Sequence, residues 1–172
     1  MKSKIIFILG GAKSGKSSFA LTHASGVKGK KAFIATAEAL DLEMNERIRR
    51  HKAERGDEWD TYEEPVDVSK ALSGTRDKYG VVLIDCLTLW LSNTMHHIKD
   101  TEGAINEFID ELQRARDRST VYMVSNEVGT GIVPENELAR KFRDLAGNLN
   151  QRIAGISDEV YLVVAGIPVK IK

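Results

Sequence analysis

The chain has 172 residues, and its 25 basic and 25 acidic side chains leave no formal net charge. A broad nucleic-acid footprint is therefore not expected, because phosphate backbones are met by basic surfaces. Hydrophobic residues at 42% and charged residues at 29% are ordinary for a soluble globular protein, and this length predicts one domain, residues 1–172. Apolar runs are too short to span a membrane, no cleavable leader is expected ahead of the first strand, and Cys86 alone makes no internal disulfide. The expectation is a cytoplasmic protein without stable membrane insertion.

The first element is the apolar run Ile5–Leu9, which reads as a strand buried on both faces. It enters Gly10-Gly11-Ala12-Lys13-Ser14-Gly15-Lys16-Ser17, a match to G-x-x-x-x-G-K-[ST]. A helix over Lys16–Ser25 follows, with Phe19, Ala20 and Ala24 on one face. Strand, glycine loop and helix together are the context of a phosphate-binding P-loop. Gly10 and Gly15 permit backbone angles that turn successive N–H groups around an anion. The helix aims its positive end at the same point. Lys16 brings a charge to the β- and γ-phosphates, and the Ser17 hydroxyl can ligate Mg²⁺. A nucleoside triphosphate is the expected ligand.

A second strand is expected at Ala32–Ala35 and a helix over Asp41–Arg55. On that helix Leu40, Met44 and Ile48 recur at i+4 as an apolar face toward the core, while Arg47, His51 and Arg55 form another i+4 row. Two flanking arginines disfavour protonation of the imidazole. His51 then offers a neutral lone pair in a phosphate-attracting field, which is what attack on a phosphoanhydride requires. Spacing alone fits a solvated, charge-rich helix face better, with Glu43, Glu46, Glu54, Asp57 and Glu58 nearby.

Val66–Leu72 suggests a short helix, and Val81–Asp85 a buried strand ending on an acidic residue. In a P-loop protein that position holds Mg²⁺; the alternative for Asp85 is a cap on the helix from Leu87. Helices over Leu87–His97 and Glu102–Arg116, a strand at Val121–Ser125, a helix over Glu135–Ile153 started by Pro134, a strand at Val160–Val164 and a short one at Val169–Ile171 complete the pattern. Gly80 and Gly103 read as breaks between elements. His23, His96 and His97 have no partner motif for a metal, and Trp59 and Trp90 read as packing residues. Ser125-Asn126-Glu127, with Gly129 and Gly131, is as open to substrate contact as to a plain connection. The alternation predicts a three-layer α/β fold, a mostly parallel sheet with helices on both faces.

Further segments carry a family likeness: Ile34-Ala35-Thr36; Asp41-x-Glu43-Met44 through Arg47-Ile48-x-x-His51-Lys52-x-x-Arg55; Trp59-x-Thr61-x-Glu63-Glu64-Pro65; Leu83-Ile84-Asp85-Cys86-Leu87-Thr88; Asn126-Glu127-Val128-Gly129-x-Gly131-Ile132-Val133-Pro134-Glu135; and Ala165-Gly166-Ile167-Pro168-Val169-Lys170. With the P-loop, and in this order, they make essentially the whole chain resemble the bifunctional adenosylcobinamide kinase / adenosylcobinamide-phosphate guanylyltransferase family of cobalamin assembly. Lys13 departs from the arginine that many relatives carry.

The resemblance implies a P-loop fold related to recombinase-type ATPase cores, and two reactions. A nucleoside triphosphate phosphorylates the aminopropanol hydroxyl of adenosylcobinamide. The imidazole of His51 then attacks the α-phosphate of GTP, expelling pyrophosphate, and GMP passes to adenosylcobinamide phosphate to give adenosylcobinamide-GDP. By the same match, nucleotide contacts fall on Gly10, Gly11, Ala12, Lys13, Ser14, Gly15, Lys16, Ser17, Ile34, Ala35, Thr36, Lys52, Ala53, Glu54, Arg55, Glu63 and Asp85. Lys16 and His51 are the catalytic residues, Ser17 and Asp85 the Mg²⁺ ligands, ATP and GTP the substrates, and a homotrimer the assembly. A kinase without a covalent intermediate would leave His51 a bystander. A GTPase-type switch would need an N-K-x-D motif, which the sequence lacks.

Overall fold

The computed structural model describes residues 3–39, 45–46, 48–49, 52 and 55–172. In chain order these form β1 (Ile5–Gly10), α1 (Lys16–Ser25), β2 (Lys31–Ala35), β3 (Trp59–Glu63), α2 (Val68–Thr75), β4 (Val81–Asp85), α3 (Leu87–His97), α4 (Thr101–Ala115), β5 (Thr120–Asn126), α5 (Glu137–Ile156), β6 (Glu159–Val164) and β7 (Ile167–Lys170). Every described position from 45 to 55 is also helical.

The strands make one seven-stranded sheet in the order β3-β2-β4-β5-β1-β6-β7. All neighbours are parallel except β6 and β7, which form an antiparallel hairpin. The central strands are apolar through their middles, Ile5–Leu9, Val81–Ile84 and Val121–Val124, because both faces are covered. Ile5, Phe7, Val82, Ile84, Val121 and Met123 pack on one face against Leu72 of α2, Trp90 of α3, Phe108 of α4 and Leu149 of α5. Ile6, Ile8, Leu83, Tyr122 and Val124 pack on the other, against Ala20 and Ala24 of α1. No described helix is long and apolar enough to cross a membrane.

Element boundaries differ from the sequence pattern where side-chain caps decide them. The Asp67 carboxylate accepts from Lys70 N–H, so the short helix starts at Val68 rather than Val66. Asp100 accepts from Gly103 N–H at 2.9 Å, which puts Gly103 inside the first turn of α4 and not between elements. Asn136 accepts from Ala139 N–H at 3.0 Å, so the long helix begins at Glu137, past Pro134. The strand β3 has no counterpart in the sequence reading, because it is an edge strand with one buried residue, Trp59. Tail residues expected as a strand at Val169–Ile171 pair from Ile167 to Lys170.

The hairpin is pinned by one carboxylate. Glu159 is bonded by Lys4, by the Tyr161 hydroxyl at 2.7 Å and by Lys170 at 2.9 Å. These donors, Lys4 foremost, hold its pKa down at about 2 against an ordinary 4.5. A depressed carboxylate contributes stability above its unfolded value and loses it as pH falls toward the folded one. Thermal midpoints of the wild type are therefore expected to drop between about pH 4.5 and pH 2 more steeply than those of Glu159→Gln. Parallel acid limbs would refute the assignment.

Candidate active site

Because β1 to β6 are parallel, their C-terminal ends share one edge of the sheet. The register sets Gly10 beside Asn126, Val124 beside Asp85, Asp85 beside Ala35, and Ala35 beside Glu63. One edge therefore carries Glu63, Ala35, Asp85, Asn126 and the glycine loop in spatial order. In an open α/β sheet this is where ligands bind.

The loop from Gly10 to Ser17 leads into α1 with Gly15 at the helix N-cap, in a left-handed conformation with φ of 92°. No side chain caps this helix, and its first turn holds no acidic residue. By contrast α2, α4 and α5 are each capped by an Asp or Asn side chain. The first-turn amides of α1 thus face the cleft without a side-chain acceptor, as an anion site requires. Lys16, only 7% exposed, donates from Nζ to the Gly11 carbonyl at 2.9 Å.

Above the loop lies a cleft of about 270 Å³, lined among others by Lys16, Ser17, Ala35, Lys52, Arg55, Glu63, Asp85 and Asn126. A neighbouring hollow of about 230 Å³ shares Ser17, Arg55 and Asp85 with it. Together they fall within the range of small-molecule sites, roughly 300–1,000 Å³. Asn45, Ile48, Lys52 and Arg55 recur at helical spacing, and all four line the cleft. Lys52 is ion-paired with Glu63 on β3. Arg55 is buried, its guanidinium carbon 3.4 Å from the centre of the Phe33 ring on β2, a cation–π arrangement.

Asp85 ends β4 half-buried, and the helix after it starts from Cys86 with no side-chain cap. Thr36 braces this edge from β2: its hydroxyl donates to the Cys86 carbonyl and accepts from the Cys86 N–H, both at 2.8 Å. Asn93 adds a bond from its amide to the Thr36 carbonyl at 2.8 Å. The Cys86 thiol is pushed up to about 11, by burial first and the neighbouring Asp85 second. It stays protonated at neutral pH and is a poor nucleophile.

Over residues 6–171 the sequence matches the family described as "CobU: Cobinamide kinase / cobinamide phosphate guanyltransferase". The chain belongs to this family. Among its relatives, the bifunctional adenosylcobalamin biosynthesis protein CobU of Escherichia coli (strain K12) is 40% identical over 184 residues, covering 98% of this chain and 99% of that protein. The bifunctional adenosylcobalamin biosynthesis protein CobP of Pseudomonas aeruginosa is 39% identical over 170 residues, covering 96% and 95%. Solved structures show the fold alone. A prototypical ATPase of the type III secretion system superposes with a TM-score of 0.58 at 11% identity, over 98% of this chain and 57% of that one. The RadB recombinase gives 0.55 at 12% identity, over 94% and 74%. The fold is thus a P-loop ATPase core with recombinase likeness, as the resemblance implied.

In this cobinamide kinase / guanyltransferase, His51, Ala53 and Glu54 lie outside the described residues, as do Leu40, Met44 and Arg47. Of the other expected contacts, Lys16, Ser17, Ala35, Lys52, Arg55, Glu63 and Asp85 meet at the cleft. Ile34 is fully buried in the core, and Thr36 is buried with its hydroxyl bonded to Cys86. Ile48, expected on a core-facing stripe, is half-buried and lines the cleft. Sequence reasoning missed Ala37, Ala39, Asn45 and Leu89 in the lining: the two alanines and the leucine carry no chemical signature, and Asn45 stands in no motif.

Asn126, left open by the sequence, also lines the cleft. Its backbone is fixed by two bonds: its N–H donates to the Thr88 hydroxyl at 2.7 Å, and its carbonyl accepts from the Asn150 amide at 3.2 Å. It ends β5, the strand that lies between the P-loop strand β1 and the Asp85 strand β4. For a metal, the donors fit one class. Ser17 and Asp85 offer hard oxygens in one cleft, and among the described residues no group of three or more His, Cys, Asp or Glu side chains forms a cage. A cation held by one or two protein oxygens and substrate phosphates is the Mg²⁺ pattern.

Proposed function

We propose that this chain phosphorylates adenosylcobinamide with a nucleoside triphosphate, then transfers GMP from GTP to adenosylcobinamide phosphate through a guanylyl-His51 intermediate. The observation that carries it is the composition of one cleft. The uncapped N-terminus of α1, Lys16, Ser17 and Asp85 share it with Lys52 and Arg55, which follow His51 at one and four residues in the sequence. Family membership supplies the substrate.

In the first reaction the aminopropanol hydroxyl oxygen bonds to the γ-phosphorus, the P–O bond to the β-phosphate breaks, nucleoside diphosphate leaves and the hydroxyl proton passes to solvent. The loop amides and Lys16 hold the phosphate charge through the transfer. In the second, an imidazole nitrogen of His51 bonds to the α-phosphorus of GTP and pyrophosphate leaves. A phosphate oxygen of adenosylcobinamide phosphate then displaces the imidazole, yielding adenosylcobinamide-GDP and restoring His51. Mg²⁺ on Ser17 and Asp85 would neutralise the triphosphate charge. Arg55, rigid on Phe33, supplies a fixed cation nearby.

Incubation with α-labelled GTP tests this reading. The protein is expected to retain acid-labile label, and adenosylcobinamide phosphate is expected to discharge it as adenosylcobinamide-GDP. A folded protein that never retains label refutes the transferase reaction. The same reading makes residues 1–172 one cytoplasmic unit acting as a homotrimer, since a corrinoid is large for a 19.1 kDa chain and is better enclosed between subunits. Light scattering is expected to return three times that mass, and a value near 19.1 kDa would refute the trimer.

A further inference from the structure

The segment Ala165-Gly166-Ile167-Pro168-Val169-Lys170 has no part in the reactions above, yet its turn lies against the phosphate loop. The Gly166 N–H donates to the Ser14 carbonyl at 2.8 Å. A Cβ on Gly15 would come within 3.2 Å of the Gly166 Cα, and one on Gly10 within 2.6 Å of the Val163 carbonyl oxygen. Loop and hairpin therefore touch backbone to backbone, with no side chain between them. Ala165 and Gly166, the residues joining β6 to β7, take φ of 50° and 81°. This is the positive-φ pair of a tight hairpin turn, matched to the twist of its strands.

A loop that turns its N–H groups toward an anion must satisfy its outward carbonyls elsewhere. Gly10 O accepts from Glu127 N–H at 3.0 Å, Gly11 O from Ser14 N–H at 3.2 Å, and Gly15 O from Phe19 N–H at 2.9 Å, all within the loop, its helix or the adjoining strand end. The Ser14 carbonyl is the one held by the distant hairpin. The peptide unit is planar and trans, so a carbonyl fixed on one side fixes the following N–H on the other. Gly166 thereby aims the Gly15 N–H away from the hairpin.

We infer that Gly166 is a positioning residue of the triphosphate site, its amide setting the Ser14–Gly15 peptide plane from outside the loop. The inference rests on the triphosphate reading given above. It also accounts for the glycine at a turn whose outer side is open. A Cβ at Gly166 meets nothing within 4 Å, so backbone conformation and not space restricts the position.

That geometry makes a clean comparison. Asn tolerates positive φ, whereas β-branched Val does not, and both have room. The full chain and its Gly166→Val and Gly166→Asn variants are titrated calorimetrically, without corrinoid, with the α,β-methylene analogue of GTP and Mg²⁺. Gly166→Val is expected to raise the dissociation constant about tenfold, the effect of one lost charge-assisted contact, and Gly166→Asn to recover most of the affinity. Thermal midpoints of the ligand-free proteins separate this from general loosening. Val affinity equal to wild type, or equal losses in both variants, overturns the inference. Should Gly166→Val not fold, amide exchange on the wild type decides: the Gly166 N–H must be protected, and exchange as fast as an open turn overturns it. A wild type that binds no triphosphate analogue refutes the triphosphate reading itself, and this inference with it.

Discussion

A His51→Ala protein is expected to lose guanylyl transfer by about 10⁴-fold or more, the scale of removing an essential nucleophile, while it keeps phosphorylation of adenosylcobinamide. The substitution deletes the attacking nitrogen and leaves the P-loop, Lys16 and Asp85 in place. Mass spectrometry after α-labelled GTP should find label on His51 of the wild type and none on the variant. The other three histidines are poor substitutes. His23 Nδ1 is 2.9 Å from the Tyr122 hydroxyl, His96 Nδ1 is 2.8 Å from the Ser92 carbonyl, and His97 Nε2 is 3.1 Å from Glu38. None of them lines the cleft. Label retained by the variant, or mapped to one of these residues or to a lysine, would assign the nucleophile elsewhere.

What the sequence could reveal of this protein follows from how each feature is encoded. The P-loop was legible because its chemistry is local: strand, glycines, lysine and helix are contiguous. The central strands were legible because burial on both faces leaves unbroken apolar runs such as Ile5–Leu9. Strand β3 was not, since Trp-Asp-Thr-Tyr-Glu at a sheet edge needs only one apolar anchor and is recognised by its pairing with Lys31–Ala35. The stacking of Arg55 on Phe33 and the grip of Gly166 on Ser14 join residues far apart in sequence. No spacing rule predicts them, although the arginine and the Ala165–Lys170 segment both stood out in the family likeness. The cleft itself is a property of topology. Parallel pairing carries Glu63, Ala35, Asp85 and Asn126 to the same edge as the loop, and only the order of strands reveals that they are neighbours.

Lys16→Ala is expected to impair both reactions together, by about 10²–10³-fold in kcat, the cost of removing one preorganised charge donor from a transferring phosphate. This signature is opposite to that of His51→Ala, because one clamp serves both triphosphate reactions and the imidazole serves one. Folding should survive. The bond from Lys16 to the Gly11 carbonyl is of a kind worth ~1 kcal/mol net, and the substitution relieves the desolvation of a buried ammonium group. Lys16→Arg should not rescue, since a planar fork does not replace a compact ammonium inside a closed loop. Asp85→Ala should show the same double loss, because it removes a Mg²⁺ ligand without touching the imidazole. Rates of kinase turnover and of label uptake, measured on each folded variant, decide the matter. Full kinase activity in Lys16→Ala would remove the lysine from the clamp. Loss of the kinase with undiminished labelling of His51 would mean that GTP is activated at its α-phosphate in a second site, and the single-cleft mechanism would have to be abandoned.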